Sequence, residues 1–572
     1  MGKDGPQKMN AEALLEQARR GGEGAALAAR RAAVVAERAN PGLAQDALRL
    51  VAALEPLDPQ PRLALARLAA EQGDLATAAV EAEAVLAEAV DQAARARAAF
   101  ILGEIARVTH QPDRARTFYT TTLRIEDDLL AAHRSDVTAA RWYARARGRL
   151  AELDAAAGEF GPARTGSEGA LAMLRAAAAQ AGEPPALAAD IADAEMRLAA
   201  LELDEGQANS ARRRLTEAIG RYEALAVTEK DEPHWRAVLS DAWALAAEAD
   251  YVRDAKDAAR SAMDKALQAR IRLATRHPQE AWALAGTWRL RAGRRAALGD
   301  ADAAADSLQQ ARALAETLWG QAQTADAPTR FLVHTLLDQA DHALRTGDLN
   351  RAREASDTAR MHAERFAQAK DAHPAWLGET GACWDRLGEV ARARGAKAQM
   401  QEAFSRAVEF RRIAHDRAPT DVQFVRGLAA ALLKFGEAAM EAGALASARN
   451  AFNESTALRL ELAHAAPSDP RAAKVLAASL ERVGLAAHAA GDHHAARGAW
   501  EDELLLADRI FPDEEDLDGL RFRATVEAHL AGLGGGKAET HRVAALAHYD
   551  VLAKAGVLTE REAAVRRKLW GG

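Results

Sequence analysis

The sequence contains few of the residues on which disulfide, metal or nucleophilic chemistry depends. Its one cysteine, Cys383, rules out an internal disulfide framework and gives no support for a cysteine-based metal site. Aromatic residues make up only 5% of the 572 positions. No run of 18 apolar residues is present, and residues 1–30 lack the apolar core of a signal peptide. We therefore expect a cytoplasmic protein without a membrane span.

Positive charge and strand patterns are also missing. The net charge of −8 argues against a general nucleic-acid binder, because neutralising phosphates requires a basic surface. No sustained alternation of β-branched and polar residues is found. Alanine, by contrast, fills 148 of the 572 positions, and Ala, Leu, Arg and Glu are strong helix formers. The composition predicts an all-α fold.

One unit of about 48 residues recurs along most of the chain. It is most evident between His373 and Pro512, where Gly395, Gly443 and Gly491 follow one another at intervals of 48 residues. Equivalent anchor positions, each expected in the turn between two helices, are Gly73, His110, Gly158, Gly206, Asp254, Gly299, Gly347, Gly395, Gly443 and Gly491. Such a series predicts one elongated repeat array instead of separate globules.

Three columns of side chains accompany the anchors. Seven residues before the anchors, every position is Gly or Ala: Ala66, Gly103, Ala151, Ala199, Ala247, Ala292, Ala340, Gly388, Gly436 and Gly484. Five residues after them stand Ala78, Ala115, Ala163, Ala211, Ala259, Ala304, Ala352, Met400, Ala448 and Ala496. Nine residues after them, large side chains are frequent: Tyr119, Leu215, Met263, Leu308, Phe404, Phe452 and Trp500. The small columns predict close helix crossings, and the bulky column should fill the space between hairpins.

This arrangement resembles the tetratricopeptide repeat (TPR), in a long-repeat form with helices of about 18 to 20 residues. The resemblance covers about residues 40–512. It implies a right-handed α-solenoid, a superhelix of stacked antiparallel helix hairpins, whose concave groove binds proteins or peptides. HEAT repeats have a similar length but lack the recurrent Gly-Asp turn, and they are the alternative fold.

The pattern predicts four segments. Residues 1–10 are expected to be disordered, 11–95 to form N-terminal helices and ordinary TPR-like repeats, 96–512 to form the long array, and 513–572 to form a helical cap. Prolines between units, such as Pro185 and Pro374, are expected to end the second helix of each hairpin.

Candidate chemistry is weak. Residues 532–540 fail the phosphate-loop pattern twice, at Ala531 and Ala538, and a predicted helix precedes them where a strand is required. His488, His493 and His494 form no pair at helical metal-ligand spacing, and neither do His541 and His548. We therefore expect no enzyme activity, no cofactor and no metal.

One column stands out as a candidate partner site. The residue six before the anchor, which in TPR proteins faces the groove, is acidic in six of ten repeats: Glu104, Glu152, Glu248, Asp341, Glu389 and Glu437. An acidic ribbon would attract a basic segment. The alternative is that these carboxylates pair locally with Arg107 or Arg392, three residues further on.

These patterns leave three functions to compare. The leading hypothesis is a non-enzymatic scaffold that binds a basic or extended peptide segment in its groove. The alternative is a ligand- or peptide-sensing regulatory arm that controls a separately encoded effector, such as an ATPase, protease or kinase. A TPR-bearing enzyme is disfavoured, because residues 513–572 are too few for a catalytic domain. The sequence leaves the oligomeric state open.

Overall fold

In the computed structural model the protein consists of helices joined by short turns, and it divides into two compact units, Met1–Arg253 and Asp254–Gly572. The structure describes residues 10–37, 40–109, 111–228, 233–465, 470–513 and 515–571. Among these residues there is no β-strand, so the prediction of an all-α solenoid fold is confirmed. The anchor His110 and nearly all of the N-terminal segment predicted to be disordered lie outside the described residues.

The first unit is a succession of helix hairpins. Its helices are α1 (Ala11–Arg19), α2 (Ala25–Ala36), α3 (Pro41–Leu54), α4 (Gln60–Glu71), α5 (Leu75–Glu88), α6 (Gln92–Val108), α7 (Pro112–Ala132), α8 (Val137–Ala156), α9 (Phe160–Ala181), α10 (Pro185–Asp204), α11 (Ala208–Thr228) and α12 (Pro233–Val252). The hairpins of the long repeats are α6/α7, α8/α9 and α10/α11, and α12 is a further first helix.

The second unit is also a succession of helix hairpins, and three helices follow its last hairpin. Its helices are α13 (Lys256–Arg276), α14 (Ala281–Ala297, after a 3₁₀ turn Pro278–Glu280), α15 (Ala301–Gln321), α16 (Asp326–Thr346), α17 (Leu349–Ala367), α18 (Pro374–Ala393), α19 (Lys397–Arg417), α20 (Val422–Glu441), α21 (Leu445–Ala465), α22 (Pro470–Ala489), α23 (His493–Leu505), α24 (Ala507–Ile510), α25 (Leu517–Gly532), α26 (Ala538–Lys554) and α27 (Glu560–Gly571). In each hairpin from α14/α15 to α22/α23 the even-numbered helix comes first.

The anchor residues form the turn inside each hairpin, as predicted. Every anchor that the structure describes has a positive φ, for example +82° at Gly347 and +77° at Gly491. After each of the eight described anchor glycines, the next residue donates its N–H to a carbonyl five residues earlier, as from Asp348 to Ala343 (2.9 Å), which is the Schellman ending of a helix. At Asp74, Asp348 and Asp492 the aspartate that follows the glycine also caps the next helix, as where the Asp348 side chain accepts from the Arg351 N–H. In these three turns the Gly-Asp pair therefore ends one helix and begins the next.

Asp254 is the one anchor among the described residues that adopts this conformation without being glycine, with φ of +56°. A Cβ atom makes the left-handed region unfavourable, although Asp tolerates it better than most residues. This turn therefore carries a local backbone strain that the other described turns lack.

We predict that Asp254→Gly raises the stability of the protein by about 0.5 to 1 kcal/mol, because relief of strain exceeds the added chain entropy of the unfolded state. Thermal unfolding and hydrogen exchange around residues 250–260 would measure it. The neighbouring Ala255→Gly is the matched control, because Ala255 has an ordinary φ of −86° and should give no gain. Equal gains from both variants would contradict the strain argument.

Several prolines between hairpins lie in the first turn of the following helix. Pro185 begins α10, Pro374 begins α18, and Pro328 lies within the first turn of α16. A proline costs little there, because the first N–H groups of a helix have no intrahelical partner. The prolines thus mark the start of the next hairpin as well as the end of the preceding one.

The two small columns are buried, and within each unit they lie where the two helices of a hairpin cross. All ten residues five positions after the anchors are at most 1% exposed, and nine of them are alanine, the tenth being Met400. The Gly and Ala residues seven positions before the anchors are buried as well. Small side chains at these positions allow the two axes to approach closely.

Glycine in the first of these columns is matched by an aromatic ring in the bulky column. A Cβ placed on Gly388 would lie 2.6 Å from the Phe404 ring, and one on Gly436 would overlap the Phe452 ring. Repeats with Ala at the first position have a smaller or aliphatic partner, as with Ala199 and Leu215. The bulky residue therefore packs inside its own hairpin as well as against the next one, since Phe452 also belongs to a cluster with Ala486 of α22.

We predict that Gly436→Ala destabilises the protein by roughly 1 to 3 kcal/mol, because the new methyl group overlaps the Phe452 ring. The double variant Gly436→Ala/Phe452→Leu, which copies the Ala199 repeat, should recover part of this loss. Denaturant unfolding of both single variants and the double variant measures the coupling.

The control for this pair is Gly498→Ala, at an exposed helical glycine with open space around it. It should stabilise the protein by up to about 1 kcal/mol. Additive effects of the two substitutions at positions 436 and 452 would show that the glycine and the ring are not coupled.

First helices of successive hairpins lie side by side in each unit. Such neighbours include α6 and α8, α8 and α10, α14 and α16, α16 and α18, and α18 and α20. Successive second helices show no comparably close pairing in the part of the chain that the structure describes. A cleft of about 270 Å³ separates α17 from α19 instead. Each unit therefore has one closely packed face made of first helices, which we call the first-helix face.

Candidate partner-binding face

The six predicted carboxylates all lie on first helices, and each is half-buried. Glu104, Glu152 and Glu248 belong to α6, α8 and α12 of the first unit. Asp341, Glu389 and Glu437 belong to α16, α18 and α20 of the second unit. Half-burial leaves each carboxylate within reach of a partner while fixing its position on the helix.

In the first unit, Arg149 joins two of these carboxylates. Its guanidinium lies 2.8 Å from Glu104 on the preceding first helix and 2.8 Å from Glu152 on its own helix. Glu104 also accepts hydrogen bonds from Tyr119 (2.5 Å) and Arg107 (3.0 Å). Burial alone would raise the pKa of Glu104, but the Arg149, Arg107 and Tyr119 contacts together lower it. Glu104 therefore stays ionised inside a dense set of donors.

In the second unit, the same pairing joins successive first helices from α16 to α22. Arg386 of α18 donates two hydrogen bonds of 2.9 Å to Asp341 of α16. Both residues stand on first helices, so this contact joins one repeat to the following one.

The next two steps follow the same geometry. Lys434 lies 3.1 Å from Glu389, and Arg482 lies 3.0 Å from Glu437. Arg392 adds a contact to Glu389 at 3.1 Å and approaches Glu437 at 3.9 Å. We use the name ion-pair ladder for the carboxylates of Asp341, Glu389 and Glu437 together with the cations of Arg386, Arg392, Lys434 and Arg482.

The cations of the ion-pair ladder make this column less negative than its carboxylates alone would suggest. Both local partners considered from the sequence, Arg107 and Arg392, are in contact with their carboxylates. The cations of the next helix, Arg149, Arg386, Lys434 and Arg482, were missed. They stand nine residues before their own anchors, 45 residues after the carboxylates they contact. A search of that column would have shown a frequent basic residue, but not which carboxylate it contacts.

The described residues contain no group of three or more His, Cys, Asp or Glu side chains placed to hold a metal ion. Cys383 is fully buried, and burial raises the pKa of its thiol. The glycine-rich segment at 532–536 lies at the end of α25 and in the turn that follows, so a helix precedes it, as expected. His541 pairs with Glu527 (2.5 Å). None of the described helices has the length and apolarity that crossing a bilayer requires.

One buried carboxyl group of the first unit titrates near neutral pH. Glu126 of α7 is 1% exposed, and its Oε1 has no hydrogen-bond partner. Burial, opposed by Arg97 and assisted by Asp136 and Asp91, raises the pKa of Glu126 to about 7. In the unfolded chain the same carboxyl ionises near pH 4.5.

We predict that the stability of the α6–α8 region falls as pH rises from about 4.5 to about 7, because the folded state retains a proton that the unfolded state loses. Glu126→Gln should remove this dependence and stabilise the region at pH 8 by roughly 1 to 3 kcal/mol. Hydrogen exchange of residues 92–156 at pH 5 and pH 8 is the measurement. A dependence that persists in the Gln variant would assign it to another group.

The fold places this chain in the class of all-α helical-repeat proteins built from TPR-like hairpins. The evidence is the turn geometry at the anchors, the buried small columns and the side-by-side first helices.

Neither a protein-family model nor a curated protein matches the sequence. Solved structures that resemble it include yeast Tom70, with 12% identity, a TM-score of 0.41, and coverage of 88% of this chain and 95% of that one. The apo form of RapI has 10% identity and a TM-score of 0.43, covering 71% and 98%. BtubC from P. vanneervenii has 17% identity and a TM-score of 0.36, covering 43% and 89%. Likenesses this low support no inference about a shared partner.

Proposed function

We propose that the protein is a non-enzymatic scaffold that binds an extended, basic protein segment along its first-helix face. The single observation that carries this proposal is the ion-pair ladder of α16 to α22. It presents half-buried carboxylates on successive first helices, and each carboxylate is held by a cation that a partner can replace.

The pairing itself suggests how such a partner would bind. Ion pairs between partly exposed side chains contribute only about 0 to 1 kcal/mol each, so a cation of comparable geometry can displace Lys434 or Arg482 at small cost. The carboxylate then keeps a partner, and the released cation gains freedom in solvent. Binding becomes an exchange of cations, with specificity set by the spacing of the carboxylates.

That spacing limits the partner. Packed helices lie about 8 to 10 Å apart, and an extended chain spans about 3.3 to 3.6 Å per residue. Asp341, Glu389 and Glu437 stand on three successive first helices, so cations at every third position of an extended segment would match them. We therefore expect affinity to depend on this period as well as on total charge.

The test uses a fluorescent peptide with lysine at every third position, and a second peptide of equal composition with its lysines clustered. Glu389→Gln/Glu437→Gln should weaken binding of the periodic peptide about tenfold, because two charge-assisted contacts are lost. Lys434→Gln should strengthen binding, because it removes a competing cation. Fluorescence anisotropy at several salt concentrations measures both effects.

The matched control is Glu454→Gln on α21, a second helix. Glu454 is also half-buried and also paired across repeats, by Arg412 of α19 at 2.9 Å, so it differs from the ladder residues chiefly in its face. It should leave binding unchanged. Equal losses in all carboxylate variants, or weaker binding in Lys434→Gln, would refute the proposal, and unchanged thermal unfolding would show that folding is not the cause.

A further inference from the structure

Glu503 differs from the equivalent residues of the other long repeats, which all have small side chains. It stands twelve residues after the anchor Gly491, in a column that is otherwise small and fully or almost fully buried: Thr122, Ala170, Ala218, Ala266, Ala311, Ala359, Ala407 and Ser455. The polar members of this column, Ser455 and Thr122, donate hydrogen bonds to carbonyls of the first helix of their own hairpin. The column therefore faces the partner helix, where a glutamate is out of place.

The last hairpin is distorted at this position. Its second helix, α23, ends at Leu505 after 13 residues, whereas α19 and α21 each run for 21 residues. The chain resumes as the short helix α24 at Ala507. The helix is thus interrupted two residues after the glutamate that replaces a small side chain.

Three buried polar atoms of the last hairpin and α25 lack hydrogen-bond partners. Glu503 is 3% exposed, and its Oε2 has no hydrogen-bond partner. One turn earlier, Trp500 stacks on His529 of α25 with ring centroids 4.8 Å apart, and neither Trp500 Nε1 nor His529 Nδ1 has a partner. Unsatisfied buried groups cost free energy, so they weaken the junction between the last hairpin and α25.

Both charged groups that act on Glu503 belong to the first helix of its own hairpin. Glu481 and Arg482 of α22 act on Glu503, and Arg482 is itself bonded to Glu481 and to Glu437 of α20. On α25, His529 stacks on Trp500, and the charges of Glu481, His488 and Arg561 affect its pKa. Trp500 also packs with Val526 and Leu530, through which α25 docks on the last hairpin.

We propose that Glu503 is a pH-sensitive latch: its neutral carboxyl keeps the last hairpin closed with α25 to α27 docked on it, and its ionisation releases those helices from the array. The latch goes beyond the proposed scaffold function and does not depend on it. An ionised carboxylate at this crossing would face Glu481 in a site closed to water, so the crossing must open to hydrate it.

The direction of the pH response follows from the site. Burial, and then Glu481, raise the pKa of Glu503 to about 8, with Arg482 opposing them. Once the crossing opens, the pKa of the carboxyl group returns towards its ordinary value of 4.5. Opening releases a proton between these values, so it becomes more favourable as pH rises towards 8. Burial lowers the pKa of His529, so this residue is compatible with the closed state only at pH values high enough to keep its imidazole neutral.

Hydrogen exchange of the full-length protein at pH 6.5 and pH 8.5 tests the latch, with rates converted to protection factors so that the intrinsic effect of pH is removed. In the unmodified protein, protection of residues 517–571 should fall at least about tenfold across this range. Glu503→Gln keeps the size of the side chain without a titratable group and should abolish the fall. Glu503→Ala restores the small column and should also give higher protection at both pH values.

Glu539→Gln, an exposed carboxylate on α26, is the control and should behave as the unmodified protein does. Residues 281–346 should show no comparable change in any variant. An equal fall in Glu503→Gln and Glu503→Ala, or no fall in the unmodified protein, would overturn the proposal. A fall that extends equally over the whole chain would do the same, because it would report global unfolding.

Discussion

The close crossing of two helices within each hairpin is the constraint on which the rest of the structure depends. Glycine or alanine at the crossing brings the axes together, and the side chain opposite must fill the space that remains. This is why Gly388 and Gly436 occur with Phe404 and Phe452, whereas Ala199 occurs with Leu215. The anchor turn, with its positive φ, sets the direction in which the second helix leaves, so crossing and turn together define one rigid unit.

Stacking such units imposes a difference between the two sides of the array. First helices lie beside one another, so their polar side chains meet across repeats and form ion pairs 45 residues apart. Second helices are further apart, and clefts remain between them. A periodic arrangement of charge on the first-helix face is therefore a consequence of the packing. It gives the proposed partner a spacing to match, since each repeat advances by about one helix diameter.

Buried carboxyl groups are the exceptions to this regular pattern. Glu126 and Glu503 stand where the other long repeats have neutral or positively charged residues, and burial raises the pKa of both towards neutral or mildly alkaline values. A carboxyl group with a raised pKa lowers the stability of the fold as the pH rises above its ordinary value of 4.5. The two residues differ in their location. Glu126 lies within the array, whereas Glu503 lies where the last hairpin meets the helices that follow it.

The sequence by itself determined the helices, the hairpin turns and the crossing columns, because these depend on local chemistry: glycine at a positive φ, aspartate at a helix start and small residues at a contact. It also placed Glu104, Asp341, Glu389 and Glu437 on one side of the first helices. Only the tertiary structure decided what those carboxylates contact. Their partners Arg149, Arg386, Lys434 and Arg482 come from the next repeat, and a contact between helices 45 residues apart depends on the rotation and spacing of the stacked hairpins, which no local pattern specifies.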